Sequence, residues 1–306
     1  MTTTATPERV TEKAPPPREM TDRARSERKL GWMLCAPALV VMIAVTAYPI
    51  GYSIWLSLQN YDLRTPDERS FAGLSNYATV LSSPLFYEDL QATVIITVIS
   101  VILELIIGMA IALVMHRAIF ARRTVRTSVL IPYGIITVVA AFAWQYAFTP
   151  DYSFFSQYQW LNNGWSSYFV IILTEVWKTT PFMSLLLLAG LAVVPEELQE
   201  AAKVDGASTI QRFVRVTLPN MKAAILVALL FRTLDAFRIF DTVFIMTRGA
   251  NGTETLSFLS YNQLINRVNL GLGSTVSVLL FFLVIIIAVL FVKGFKTNLG
   301  AVRGDR

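Results

Sequence analysis

Apolar residues fall in long unbroken runs rather than at helical or strand-like intervals. No Asp, Glu, Lys or Arg occurs between Lys29 and Asp62, and residues 32–58 of that stretch are almost entirely apolar. A helix needs roughly 20 such residues to cross about 30 Å of hydrocarbon, so the pattern predicts a first span there. The run is too long for the ~7–15-residue core of a cleaved signal peptide, and a polar tail precedes it. Further spans are expected over 90–115, interrupted by Glu104, and over the uncharged stretch 127–148. The fourth is less sharply marked. Residues 152–167 mix Ser, Gln, Asn and aromatics as the membrane–water interface does, so 168–194 is the better span although it carries Glu175 and Lys178. The fifth covers 223–246 and the sixth 272–292. The expectation is an all-α polytopic membrane protein with six transmembrane helices.

Composition agrees. Of 306 residues 54% are hydrophobic and 15% charged, against about 45–50% and 25% in a soluble domain. Cys35 is the only cysteine and His116 the only histidine, which excludes a disulfide framework, a zinc finger and a His/Cys metal cluster. The net charge of +5 would suit nucleic acid, but its distribution points elsewhere. With the N-terminus in the cytoplasm, inward-facing segments hold 19 of the 26 Lys and Arg and outward-facing loops hold 4. That asymmetry predicts both termini inside and reads the basic balance as topology, with membrane lipid and no nucleic acid as partner. Residues 1–29 form a cytoplasmic tail, disordered at its Pro-rich start, with a charged surface helix expected over 19–30. Residues 30–306 form the membrane domain.

Residues 195–222 read PEELQEAAKVDGASTIQRFVRVTLPNMK. Pro195 suits a first helical position, and Glu196 and Glu197 complement the positive end of the helix dipole. Gly206 is a natural stop, Ser208 can cap a second helix, and Pro219 limits its length. Two short helices with a bend at Asp205–Gly206 follow. Small Ala201 and Ala202 beside the bend let another surface approach the backbone. The residues alone leave two readings open, a connector that solvates itself or a knob on which a cytoplasmic partner docks.

Ionisable groups within a span cost at least ~2.5–3.5 kcal/mol each and by default suggest function. Arg232, Asp235, Arg238 and Asp241 alternate in sign at intervals of three, so each meets an opposite charge on a helix surface. The stripe winds from about mid-depth at Arg232 toward the outer mouth, where Glu175 is also expected. Glu104 is near mid-depth and can pair with Arg232. These charges either pin helix packing or wall a polyol path, with Asp235 and Arg232 meeting hydroxyls and Phe231 or Phe237 stacking on a sugar face.

Glu200-Ala201-Ala202, Asp205-Gly206-Ala207, Phe213 and Leu218-Pro219 resemble, in type and spacing, the EAA loop of binding-protein-dependent ABC importer permeases. From the first span onward the chain looks like the maltose-type sugar permeases, including the run Phe231-Arg232-Thr233-Leu234-Asp235-Ala236-Phe237. The resemblance implies a type I importer permease fold and a coupling loop at 195–222. In it Glu200, Ala201, Ala202, Asp205 and Gly206 would dock on an ATPase, while Phe213, Leu218 and Pro219 anchor the second arm. It also implies a bacterial plasma-membrane subunit that transports a sugar, a disaccharide such as trehalose, without being an enzyme itself. No lysine follows a glycine, so the chain lacks a phosphate-binding P-loop. ATP and Mg would therefore be bound by two partner ATPase subunits, and this chain would hold no cofactor and no metal. A second homologous permease would complete the path, and an extracellular solute-binding protein, lipid-anchored or free, would deliver the substrate. An ion-coupled secondary transporter, a polytopic enzyme, or an importer of another polyol or a glycerol-phosphate are the alternatives.

Overall fold

The computed structural model describes residues 22–117, 122–150 and 158–294. The expectation for residues 1–21 lies outside the described residues, as does part of the aromatic-rich stretch 152–167. The chain divides into two units at Tyr52/Ser53. Helix α1 (Asp22–Ser57) makes up the described part of the first unit and runs on to Ser57. Residues 22–30 of the charged helix expected over 19–30 are helical and continuous with the first expected span, and 19–21 lie outside the described residues. Tyr48 and Tyr52, one turn apart, stack with centroids 6.1 Å apart. Residues 29–57 are long and apolar enough to cross a membrane.

The second unit includes a small subdomain near its start that the apolar pattern gave no hint of. Strands β1 (Gln59–Asn60) and β2 (Ser70–Phe71) pair antiparallel and lead into α2 (Ser75–Ser82). Buried Asn76 donates to the Ser57 and Gln59 carbonyls at 2.9 and 2.8 Å, satisfying backbone acceptors that the turn leaves open.

Two long helices carry the core. α3 (Pro84–Arg117) and α6 (Gly164–Leu191) pack along their length. The buried positions of α3 recur at helical spacing, with Ala92, Ile96, Val101, Met109, Ala112 and Met115 among them. Gly108 admits Met183 to the α3 backbone, since a Cβ there would lie 3.0 Å from the Met183 Cγ. α6 runs through Pro181 without ending.

Two expected spans are not continuous. The stretch 127–148 is two helices, α4 (Arg122–Gly134) and α5 (Thr137–Phe148), bent by 85°. Pro132 cannot donate into the ladder, and its own carbonyl accepts from Ile135 N in a tight turn instead. The stretch 223–246 is also broken. α10 (Lys222–Ala236) stops and α11 (Asp241–Met246) restarts after four residues. At that break Arg238 N and Ile239 N close four-residue turns onto Asp235 and Ala236, and the freed Ile239 carbonyl is capped by Thr255 Oγ1 at 3.1 Å. Such breaks survive at membrane depth only where protein or a cavity supplies the missing partners.

Between α6 and α10 lies the hairpin, α7 (Glu196–Val204), α8 (Thr209–Arg212), a wide turn over Phe213–Thr217 and α9 (Leu218–Asn220). α12 (Leu256–Tyr261) and the long helix α13 (Leu270–Gly294) complete the described residues. Among the described residues four helices are long and apolar enough to cross a membrane, five if the bent α4–α5 pair counts as one.

Candidate functional site

The α10–α11 break is the floor of a polar cavity of about 440 Å³. α4 and α5 contribute Tyr133 and Thr137, and α6 contributes Glu175, Lys178 and Thr179. Asp235, Arg238, Phe240, Asp241 and Thr242 come from the break and its flanks. Lys178 lies over the Tyr133 ring, 5.6 Å from its centroid, which fixes one wall by a cation–π contact.

Behind the cavity runs a buried network. Arg232 Nε donates to Glu104 Oε2 at 2.6 Å and Nη2 to Oε1 at 2.9 Å. The same guanidinium bonds Asp235 through Nη1. Thr179 Oγ1 lies 2.7 Å from Glu104 Oε1 and 2.6 Å from the Glu175 carbonyl, and Thr242 donates to the Glu175 carboxylate. Four elements, α3, α6, α10 and α11, are thereby tied at one depth. Arg232, Glu104 and Glu175 are buried, whereas the Asp235 side chain is 67% exposed and faces the cavity.

The stripe expected from the four alternating charges exists only in part. Arg232 and Asp235 share α10. Arg238 lies past its end, bonding the Leu234 carbonyl through Nε at 3.2 Å, and Asp241 opens α11. Across the break Asp235, Arg238 and Asp241 line one cavity, while Arg232 stays buried behind it. The expected stacking rings are displaced too. Phe237 is buried in the core with Leu256 and Val276, and Phe231 is 56% exposed and lines no part of the cavity. Phe240 takes that place. It stacks on Phe244 at 5.3 Å and meets Tyr261 at 5.2 Å, which hold the ring in position. Sequence reasoning missed Tyr133, Thr137, Lys178, Thr179, Ile239, Phe240 and Thr242 as one group; the charge of Lys178 within a span was the only signal for any of them.

The hairpin is built by local rules. Pro195 precedes α7 as its cap residue, one position earlier than expected, and Glu196 and Glu197 follow in its first turn. Gly206 is left-handed at φ +80°, with its N–H on the Lys203 carbonyl and the Ala207 N–H on the Ala202 carbonyl. This pair of bonds closes the helix end in a Schellman motif. Ser208 and Gln211 form a reciprocal capping box that starts α8. Gln199 Nε2 reaches Thr217 Oγ1 at 2.8 Å and ties the two arms together. Phe213 and Leu218 pack against the core of α3, α6 and α10, while Glu200, Ala201, Asp205 and Gly206 are exposed and Ala202 is half-buried. Pro219 lies within α9.

Residues 104–297 match the family described as the binding-protein-dependent transport system inner membrane component. The chain belongs to this family. The permease is 52% identical over 275 residues to the trehalose transport system permease protein SugA of Mycobacterium tuberculosis (strain ATCC 25618 / H37Rv), covering 88% of this chain and 90% of that one. It is 38% identical to the trehalose/maltose transport system permease protein MalF of Thermococcus litoralis, covering 87% and 94%. Its fold matches a chain of a bacterial ABC transporter involved in import of the acidic polysaccharide alginate, with TM-score 0.76 at 18% identity over 90% and 99% of the chains. The permease is thus a multi-pass inner-membrane subunit with the ABC importer permease fold.

Proposed function

We propose that the permease carries an uncharged disaccharide such as trehalose through the cavity at the α10–α11 break, driven by ATP hydrolysed in partner subunits. One observation carries the substrate class. The cavity is lined by the carboxylates Glu175, Asp235 and Asp241, the cations Lys178 and Arg238, and the hydroxyl side chains of Thr137, Thr179, Thr242 and Tyr133. Donors and acceptors are both supplied with no excess of positive charge, which suits a ring of hydroxyls and offers a polyanion little. The substrates named for the mycobacterial and Thermococcus relatives support the same class.

In this reading both termini are cytoplasmic and the hairpin 195–222 faces the ATPase. Glu200, Ala201, Ala202, Asp205 and Gly206 form the docking surface, and Phe213, Leu218 and Pro219 transmit its movement into α3, α6 and α10. A second permease supplies the other half of the path, two ATPase subunits bind ATP and Mg, and an external solute-binding protein hands over the sugar.

The test is uptake by the reconstituted assembly in sealed vesicles. Labelled trehalose should accumulate with internal ATP and persist when the proton gradient is collapsed. Uptake that needs the gradient and not ATP would make the chain an ion-coupled transporter, and preferential uptake of glycerol 3-phosphate would overturn the uncharged-sugar assignment.

A further inference from the structure

A second groove, of about 290 Å³, lies far from the sugar cavity, where the end of α3 meets the second arm of the hairpin. Leu113, Val114 and Phe213 give it an apolar floor, Ile210 an exposed apolar wall, and Arg117 and Thr209 a polar rim. Among the described residues no acidic one lines it. A second guanidinium stands beside the rim, since Arg212 Nη2 is 3.5 Å from Thr209 Oγ1. Arg212 Nε is enclosed with no hydrogen-bond partner among the described residues.

Depth decides what such a groove accepts. Leu113 and Val114 are in the last apolar turn of α3, and Arg117 follows three and four residues later, or about 5–6 Å along the axis. The α3 part of the apolar floor is therefore at hydrocarbon depth and the Arg117 guanidinium at the level of the headgroups, with Arg212 beside Thr209 on the same rim. A small anion would leave the apolar walls wet, and a neutral lipid would leave two cations unanswered. Both requirements are met by one amphiphile with an acyl chain and an anionic phosphate.

We infer that this groove binds a single anionic phospholipid, its chain along Leu113, Val114, Ile210 and Phe213 and its phosphate between Arg117 and Arg212. The lipid bridges α3 to the hairpin arm and holds the arm against the membrane face. The inference rests on the permease reading only in placing α3 across a bilayer.

The experiment uses the whole assembled importer in neutral detergent, with native mass spectrometry after addition of phosphatidylglycerol, phosphatidylcholine or inorganic phosphate. Phosphatidylglycerol should be retained at this subunit, phosphatidylcholine should wash out, and phosphate should not compete. Each guanidinium removed should weaken retention about fivefold, so R117Q/R212Q loses the lipid while R117K/R212K keeps most of it in an equally assembled complex. Equal retention by R117Q/R212Q and the wild type would overturn the proposal. So would cross-linking of Ile210→Cys to a neighbouring subunit in the wild-type assembly, which would make the occupant protein. Sugar uptake by the wild type in phosphatidylglycerol vesicles is read separately, so loss of transport with retained lipid would count against the transport reading alone.

Discussion

Arg232 of α10 and Glu104 of α3, 128 positions apart in the chain, form a two-bond ion pair with side chains 2% and 0% exposed. Neither charge could remain at this depth alone. The Arg232–Asp235 pair is different in kind, because Asp235 is open to the cavity, where water and ligand compete for it.

Removing Arg232 leaves Glu104 buried without its cation, and removing Glu104 leaves Arg232 only the cavity-exposed Asp235. Glu104→Ala or Arg232→Met should cost about 3–5 kcal/mol, while the joint change Glu104→Leu with Arg232→Met should cost far less. Unfolding of the purified assembly in detergent measures both. If the double variant is no more stable than the singles, the pair does not act as a unit.

Gly190 and Ala224 hold α6 and α10 together by contact rather than charge. A Cβ on Gly190 would sit 2.5 Å from the Ala224 Cβ, closer than carbon atoms approach. Gly190→Ala should therefore destabilise by about 1–3 kcal/mol as an overpacked site. Adding Ala224→Gly should restore most of the loss, which assembly yield and thermal unfolding of the two variants will check.

How much of this was legible beforehand depends on whether the signal was local. Gly206, Ser208 and Gln211 decide the hairpin within a few residues, so its bend and caps could be read directly. The Arg232–Glu104 contact was legible for another reason, since a buried cation compels a search for an anion and few were available. The breaks in the third and fifth expected spans were hidden because a run of apolar residues looks the same whether the chain is straight or turned. At Pro132 the turn had a local cause. At 237–240 it rests on Thr255, sixteen positions beyond the Ile239 carbonyl that it caps. The cavity followed the breaks, and Thr242 and Thr137 carry no charge to betray them.

Outside the spans, Asp62 gives a pH-dependent junction. The Arg64 side chain, helped by the Arg64 N–H, holds the Asp62 carboxyl at about 2 from an ordinary 3.8. Asp62 also pairs by a backbone bridge with Asn269 at the start of α13. A depressed carboxylate contributes fully above its unfolded pKa, and that contribution is lost as pH falls from about 4 through 2. Amide exchange at Leu63 and Gly271, which bond the Val268 and Tyr61 carbonyls, should quicken over that interval beyond the intrinsic rate. Asp62→Asn should show the faster exchange already at neutral pH.

The hairpin prediction separates folding from coupling. Gly206→Ala places a Cβ in a left-handed residue and costs about 1–2 kcal/mol, but the site is open and the arms remain tied by Gln199 and Thr217. Gly206→Pro cannot reach φ +80° and removes the bond to Lys203. Membrane abundance should survive both changes, whereas sugar-stimulated ATPase activity of the assembly should fall about tenfold in the proline variant, the scale of an ordinary coupling free energy. Glu200→Arg, exposed on the same face, should do likewise. Normal stimulation in Gly206→Pro and Glu200→Arg would remove the hairpin from the coupling path.

Phe240 offers the sharpest test of the cavity, because three rings of the same type occupy distinct environments within ten residues. Phe240 faces the polar space, Phe237 the core, and Phe231 the outside of the bundle. If the cavity takes a sugar, Phe240→Ala should raise the half-saturating concentration for uptake about fivefold, the worth of one aromatic contact. Phe240→Tyr should stay near the wild type. Phe237→Ala should instead lower the amount of assembled protein, by the ~3–5 kcal/mol of a buried ring, without changing half-saturation in what remains. Phe231→Ala should change neither. A rise in half-saturation on Phe231→Ala, with Phe240→Ala silent, would move the sugar to the opposite face of α10 and leave the cavity at the break without a transport role.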